Sequence, residues 1–376
     1  MRVALVTSSY NYIPDGVALT LNRLVGYLER QGVEVLVFAP IADRPDFVHQ
    51  GTIVPVPSIP LPGRPEYRLA LGMAGHVKRQ LLDFAPDIIH IGVPDLLGHA
   101  AMALAQKHGI PAVASYHTRY ETYLRHYWHI AWLETFLTRT LRRFYGRCRE
   151  VYVPSDSTRA ALLADGLRDN LKAWPRGIDT ARFTPAKRSL EWRARLGIGE
   201  HEVVILHVSR LVREKRLDTL TAALNRVTVP HRVVIVGDGP DQNFVEQELP
   251  QAIFAGFLRD EALATAYASC DLFLFPSDSE SFGNVTLEAM ASGLPCVCAD
   301  ATGSSSLVAP GETGFLIPAN DADGFARQLA LLAQDAALRR RMGEAARARA
   351  LTYSWEETLA RILGYYRALL AGSDQS

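Results

Sequence analysis

The chain is 376 residues long, 48% hydrophobic and 21% charged, with 40 Lys and Arg against 40 Asp and Glu. Such a composition excludes a disordered or fibrous protein, and the length exceeds the roughly 250–300 residues at which a single core stops growing, so two domains are expected. Residues 1–185 carry 21 of the Lys and Arg and 16 of the Asp and Glu, leaving 19 and 24 for the rest, so a basic first half precedes an acidic second half.

Cys148, Cys270, Cys296 and Cys298 form no CxxC pair and stand near no His cluster at ligand spacing, so neither a zinc site nor a disulfide framework is expected. The opening "MRVALVTSSY" turns polar too early for a secretory core, and no window approaches the roughly 18 apolar residues of a membrane span. A cytoplasmic protein is expected, with no nucleic-acid partner.

In chain order, "RVALVTS", "VEVLVFAP", "PDIIHIG", "IPAVASYH" and "EVYVPS" read as short buried strands, and helical patterns such as "LTLNRLVGYLERQG" alternate with them. This alternation argues for βαβ units around a parallel sheet, which binds ligands at the carboxyl ends of its strands. After "GIDTARFTP" a second set follows: "HEVVILHVSRL", "HRVVIVGDGP", "AIFAGFL", "CDLFLFPS" and "PCVCAD". Pro175, Gly177 and Pro185 punctuate the junction, placing the boundary near residue 185. The expected architecture is α/β: two doubly wound Rossmann-like domains, 1–185 and 186–354, facing across a cleft. A final amphipathic helix, 355–376, has no strand after it and is expected to pack back on the first domain. The Ala/Arg-rich "LRRRMGEAARARAL" reads as a solvated helix face.

The chemistry concentrates in "DSESFGNVTLEAMASGLPCV". A strand, a loop and a helix mouth in succession present unpaired N–H groups and a positive dipole end, which attract phosphate. Gly283 lets a ligand approach the backbone closely. Glu280 lies in the loop and Glu288 more than a turn inside, so a ligand across the mouth meets a carboxylate at each end. Carboxylates accept hydrogen bonds from sugar and ribose hydroxyls. The same spacing also suits a capping loop with an exposed Glu. Arg210 and Lys215, just past a strand end, can neutralise a diphosphate leaving group. Gly237 and Gly239 in "VGDGP" supply a tight turn after the next strand.

Together, Arg210, Lys215, "VGDGP", "FAGF", the Glu280–Glu288 spacing and "EAMASGLP" resemble the retaining glycosyltransferases of family 4, which have the GT-B fold, and in particular their lipid-type α-hexosyltransferases. "YIPDGVALTLNRLVGYLERQGVEVLVFAP", "SYHTRYETY" and "RGIDTARFTP" resemble the family's amino-terminal half, so the likeness spans nearly the whole chain.

The resemblance implies that Glu288 binds the nucleotide ribose and Glu280 the donor-sugar hydroxyls. Backbone at Phe282, Gly283, Asn284 and Val285 would surround sugar and phosphate, Gly237 and Gly239 would also belong to the donor-binding set, and Arg210 and Lys215 would bind the diphosphate with no divalent metal or other cofactor. The loop at Asp15, Gly16 and Val17 would close over the donor, and His117 would face the donor sugar or help place the acceptor. Tyr116, Thr118, Arg119 and Tyr123 are its acceptor-side neighbours. One departure stands out. Where many relatives carry a proline and an acidic residue, this chain reads "DATGSSSLVAPGETG", with Ser304, Ser305 and Ser306 on that ground.

Retention could use a carboxylate nucleophile, yet Glu280 is assigned to hydroxyls away from the reactive carbon, which favours front-face transfer. "HYWHIAWLETFLTRTLRRFYGRCREVY" sets Tyr127, Trp128, Trp132, Phe136 and Phe144 among Arg139, Arg142, Arg143, Arg147 and Arg149. It is either a basic amphipathic helix for an anionic membrane surface or a core helix with an arginine-rich face. The expected function is hexosyl transfer from a UDP- or GDP-linked sugar to an acceptor hydroxyl on a membrane lipid, at the inner face of the cytoplasmic membrane. The alternatives are a GT-B sugar-nucleotide epimerase or hydrolase and a noncatalytic sugar-nucleotide sensor. A dinucleotide-binding oxidoreductase is disfavoured, because "SSYNYIPDGVA" after the first strand lacks a GxGxxG turn.

Overall fold

The computed structural model describes residues 1–12, 16–41, 47–61, 64–117 and 132–373. The chain divides into two compact units, one of Met1–Trp174 with Glu356–Ser376 and one of Pro175–Trp355. Each is built on its own parallel sheet.

In the first unit the strands are β1 (Arg2–Val6), β2 (Glu34–Ala39), β3 (Thr52–Pro55), β4 (Ser58–Leu61), β5 (Arg64–Ala70), β6 (Ile88–Ile91), β7 (Ala112–Ser115), β8 (Glu150–Val153) and β9 (Leu171–Ala173). Seven of them form a sheet in the order β3-β2-β1-β6-β7-β8-β9, while β4 and β5 pair antiparallel as a separate ribbon. The strands β6 and β7 are buried at every position, which explains runs such as "IIHI" and "AVAS": a sheet covered on both faces asks for continuous apolar residues rather than alternation.

The second unit holds β10 (Val204–Val208), β11 (Arg232–Val236), β12 (Ile253–Gly256), β13 (Leu272–Phe275), β14 (Cys296–Ala299) and β15 (Gly314–Ile317), in the order β12-β11-β10-β13-β14-β15. In both sheets the order reverses once, between β1 and β6 and between β10 and β13. Crevices outside the carboxyl ends of strands at such reversals are where doubly wound sheets take ligands.

The junction differs from the position expected near residue 185. Residues 175–185 belong to the second unit, where Ile178 bridges Ser354 and the Arg347 guanidinium donates to the carbonyls of Phe183 (2.6 Å) and Thr180 (3.0 Å). The segment "LRRRMGEAARARAL" has the expected solvated face, with Arg340, Arg341 and Glu344 exposed, and also a buried one. Met342, Gly343, Ala346 and Ala350 of helix Ala336–Ala350 are buried, and a Cβ on Gly343 would come within 2.2 Å of the Gly293 carbonyl. The last helix, Trp355–Ser373, sends Tyr366 to His90 of β6 and the Tyr365 hydroxyl to the Ala173 carbonyl at 3.1 Å. Among the described residues no helix is long and apolar enough to cross a membrane.

Candidate active site

In the second unit, the segments that leave β10 and β13 at the sheet reversal are tied to each other by charge. A short 3-10 turn, Arg213–Lys215, brings the Lys215 ammonium onto the Glu280 carboxylate, and both side chains are about four-fifths buried, at 19% and 20% exposure. The sequence alone gave these two residues separate parts; the fold makes them an ion pair. Arg216 reinforces the tie, donating through Nε (2.9 Å) and Nη2 (2.5 Å) to Asp278. Glu280 also accepts from Ser277 Oγ at 3.3 Å, and its backbone carbonyl accepts from Thr302 Oγ1 at 3.0 Å. The departure at "DATGSSS" therefore buttresses the Glu280 loop from behind. Gly303, at φ 90°, has room for no side chain there, since a Cβ would meet Glu280 and the Phe282 backbone at 3.0 Å.

Helix Asn284–Ala291 begins beside that pair. Its N-cap is Gly283, at φ 92° with no side-chain cap, and its first turn carries no acidic residue, which leaves the positive dipole end open to an anion. Asn284 is exposed, Val285 is half-buried, and Phe282 turns its ring inward against Tyr353. The other helix end is compensated: Arg347 donates to the Ala291 carbonyl at 2.5 Å. Glu288 accepts a hydrogen bond from the Tyr267 hydroxyl at 3.0 Å. Burial pushes the Glu288 carboxyl up to about 7, opposed by that hydrogen bond and by the charge of Arg182.

Arg210 is exposed and makes no ion pair among the described residues. Its position comes from the glycines of "VGDGP". A Cβ on Gly237 would lie 1.9 Å from the Ser209 carbonyl, and one on Gly239 would lie 2.3 Å from that of Leu211. The two glycines thus let the turn pack directly on the Arg210 segment, which the Leu211 N–H bond to the Asp238 carbonyl (2.8 Å) completes. Sequence reasoning missed His207 and Tyr267. On β10, His207 Nδ1 donates to the Leu274 carbonyl of β13 (3.0 Å), and Nε2 accepts from Ser209 Oγ (2.7 Å). Burial, with help from the Lys215 charge, brings that imidazole down to about 4.

In the first unit, β7 ends at Ser115 and is followed by Tyr116 and His117. The His117 ring stands edge-on to Trp174 with centroids 6.0 Å apart. Tyr116 corrects an expectation: it is 2% exposed and packs on Tyr145 in the core, so its side chain does not face an acceptor. The continuous burial of β7 extends one residue past the strand end. Gly16 opens helix Gly16–Arg30 and has no atom within 4 Å of the place a Cβ would take. Asp15, Thr118, Arg119, Tyr123, Tyr127 and Trp128 lie outside the described residues. On helix Trp132–Tyr145 and just beyond it, Arg139, Arg142, Arg143, Arg147 and Arg149 are exposed, whereas Leu141, Phe144 and Tyr145 are buried in the unit's core. Among the described residues no cluster of three or more His, Cys, Asp or Glu is arranged to hold a metal ion.

Two doubly wound units, one carrying cations and an uncapped helix mouth at its sheet reversal, define the class of nucleotide-sugar glycosyltransferases. Comparison with known proteins agrees: residues 14–182 match the family model "Glycosyltransferase Family 4" and residues 189–349 match "Glycosyl transferases group 1". The chain is 34% identical to a GDP-mannose-dependent alpha-mannosyltransferase of Mycolicibacterium smegmatis, over 98% of each protein. It is 27% identical to an alpha-monoglucosyldiacylglycerol synthase of Streptococcus pneumoniae, over 79% of this chain and 70% of that protein. The fold matches that of a sucrose-phosphate synthase from Thermosynechococcus elongatus with a TM-score of 0.79, at 22% identity, over 99% of this chain and 100% of the other. The chain belongs to glycosyltransferase family 4, with the GT-B fold.

Proposed function

We propose that this glycosyltransferase moves a hexosyl unit from a UDP- or GDP-linked sugar to a hydroxyl of a membrane lipid, with retention of configuration and without a divalent metal. The observation that carries the reading is the buried Lys215–Glu280 pair, with Glu280 three residues before the Gly283 helix mouth at the β10/β13 reversal and the exposed Arg210 just past the end of β10. Arg210, Lys215 and the helix N–H groups hold the diphosphate and stabilise the charge that grows on it as it leaves, the part a divalent metal plays elsewhere. Glu288 accepts from the ribose hydroxyls, Glu280 from hydroxyls of the donor sugar, and His117 serves the sugar or the acceptor from the first unit.

In the reaction, the bond from the anomeric carbon to the phosphate oxygen breaks and the bond to the acceptor oxygen forms on the same face. The acceptor's proton passes to the departing phosphate oxygen. Glu280, held by Lys215, orients hydroxyls and does not attack, so the protein chiefly positions and stabilises. Two observations support a lipid acceptor: the synthase relative is named for a diacylglycerol product, and the arginine face around helix Trp132–Tyr145 offers attraction to anionic lipid. Phe144 is committed to the core, so the arginines rather than this ring carry the attraction. The proposed setting is the inner face of the cytoplasmic membrane.

The test is incubation with UDP-glucose or GDP-mannose, with and without vesicles of diacylglycerol and anionic phospholipid, in the presence of EDTA. Release of one nucleoside diphosphate that depends on the vesicles, yields an α-linked glycolipid and survives EDTA supports the reading. Abolition by EDTA contradicts metal independence, and equal release without acceptor points to a hydrolase or epimerase.

A further inference from the structure

The second unit has another cationic concavity, at the opposite end of its sheet. A cavity of about 260 Å3 opens where the amino ends of β13 and β14 meet the first turns of helix Ala336–Ala350. Arg188, Arg339 and Arg340 line it, together with Asp271. Asp271 is already engaged by Arg188 at 3.0 Å and by the buried Arg193 at 3.2 Å. Arg188 also donates to the Cys270 carbonyl (3.1 Å), and Arg339 to the carbonyls of Leu332 and Ala333 (2.7 and 3.1 Å). Arg340 is exposed and makes no ion pair among the described residues. The lining therefore carries more positive charge than its one carboxylate can balance.

Ser292 supplies an independent indication. It lines the same cavity at 3% exposure, and its hydroxyl oxygen is buried with no hydrogen-bond partner. A buried hydroxyl without a partner is unfavourable, and a turn of this small side chain toward the adjoining cavity would let a ligand oxygen complete it.

We propose that this cavity is a second anion site, for a phosphate group carried either as the free ion or on a small metabolite. Its volume falls just below the roughly 300 Å3 at which sites for larger organic ligands begin. The site is separate from the one already described. Ser292 closes the carboxyl end of helix Asn284–Ala291, and its eight residues put the Gly283 mouth roughly 12 Å away by helix rise. Both sites can be filled at once.

The test is calorimetric titration of the full chain with inorganic phosphate and, separately, with glycerol 1-phosphate, at constant ionic strength and with excess nucleoside diphosphate present. Saturable one-to-one binding is expected. Arg340→Glu should weaken it by about tenfold or more, since a charge-assisted contact becomes a repulsion. Ser292→Ala should weaken it by a few-fold. Arg341→Glu, one residue along the same helix and outside the lining, should leave it unchanged. Tighter binding of the ester assigns the site to a metabolite, and equal binding assigns it to free phosphate. Absence of saturation, or equal effects of Arg340→Glu and Arg341→Glu in variants that melt like the parent, would overturn the proposal.

Discussion

In the unit Pro175–Trp355, the imidazole of His207 hydrogen-bonds Ser209, one residue before Arg210; in the unit containing β1–β9, that of His90 hydrogen-bonds Ser115 at 2.5 Å, two residues before His117. Burial brings His90 down to about 3 and His207 to about 4, so both rings are neutral near pH 7 and hold fixed hydrogen-bond roles. Their second partners differ. His207 reaches the Leu274 carbonyl on the adjacent strand, whereas His90 reaches the Tyr366 hydroxyl on the last helix, 276 residues away. The Arg210 edge is completed by its own sheet; the His117 edge is completed by the end of the chain.

Substitutions can break or sharpen that contrast. The largest effect is expected from Lys215→Ala: removal of a charge that acts on the leaving group should lower turnover by about 10²–10³-fold, read in steady-state assays. Gly237→Ala drives a Cβ into the Ser209 carbonyl and should cost about 2–4 kcal/mol in urea unfolding of the second unit. Ser209→Ala and Ser115→Ala each leave a buried imidazole nitrogen unpaired and should cost about 1–3 kcal/mol. Only Ser209→Ala should weaken nucleotide binding; equal weakening by both would erase the contrast. Tyr366→Phe likewise leaves the buried His90 Nδ1 unpaired and should cost about 1–3 kcal/mol, with nucleotide affinity unchanged.

The smallest effect is one of pH. The folded value of Glu288, about 7, lies above its ordinary 4.5, so its contribution to stability is present in full below pH 4.5 and is lost as pH rises through about 7. The melting temperature of Glu288→Gln relative to the parent should therefore rise between pH 5 and 8. Over the same range nucleotide affinity should increase more in the parent, where the carboxylate that would accept from ribose forms, than in the variant, because ionisation of the ligand's own phosphate at about pH 6 is common to both. Equal profiles in parent and variant would count against burial as the cause.

Much of this was legible in the sequence because it is local. Continuous apolar runs marked the buried parallel strands, and glycine, glutamate and cation spacing marked the helix mouth. Of the five strands missed, Thr52–Pro55, Leu171–Ala173 and Gly314–Ile317 are short and sit at sheet edges, while Ser58–Leu61 and Arg64–Ala70 form a ribbon outside both parallel sheets. The rest depends on distant partners. Tyr267 reaches Glu288 and Tyr366 reaches His90 across chain separations that no spacing rule covers. Proline and glycine marked residues 175–185 as a junction, but only the Arg347 hydrogen bonds decide that this segment packs with the second unit. Likewise, nothing in "SYHT" announces that Tyr116 faces the core.

The most direct measurement is the affinity of the chain and of Lys215→Ala for UDP, UMP, GDP and GMP by calorimetry. A role for Lys215 on the diphosphate predicts that the parent prefers one diphosphate to its monophosphate by about tenfold or more, and that Lys215→Ala loses most of that preference while keeping monophosphate binding. Equal loss of affinity for mono- and diphosphate, or a preference that survives the substitution, would contradict it.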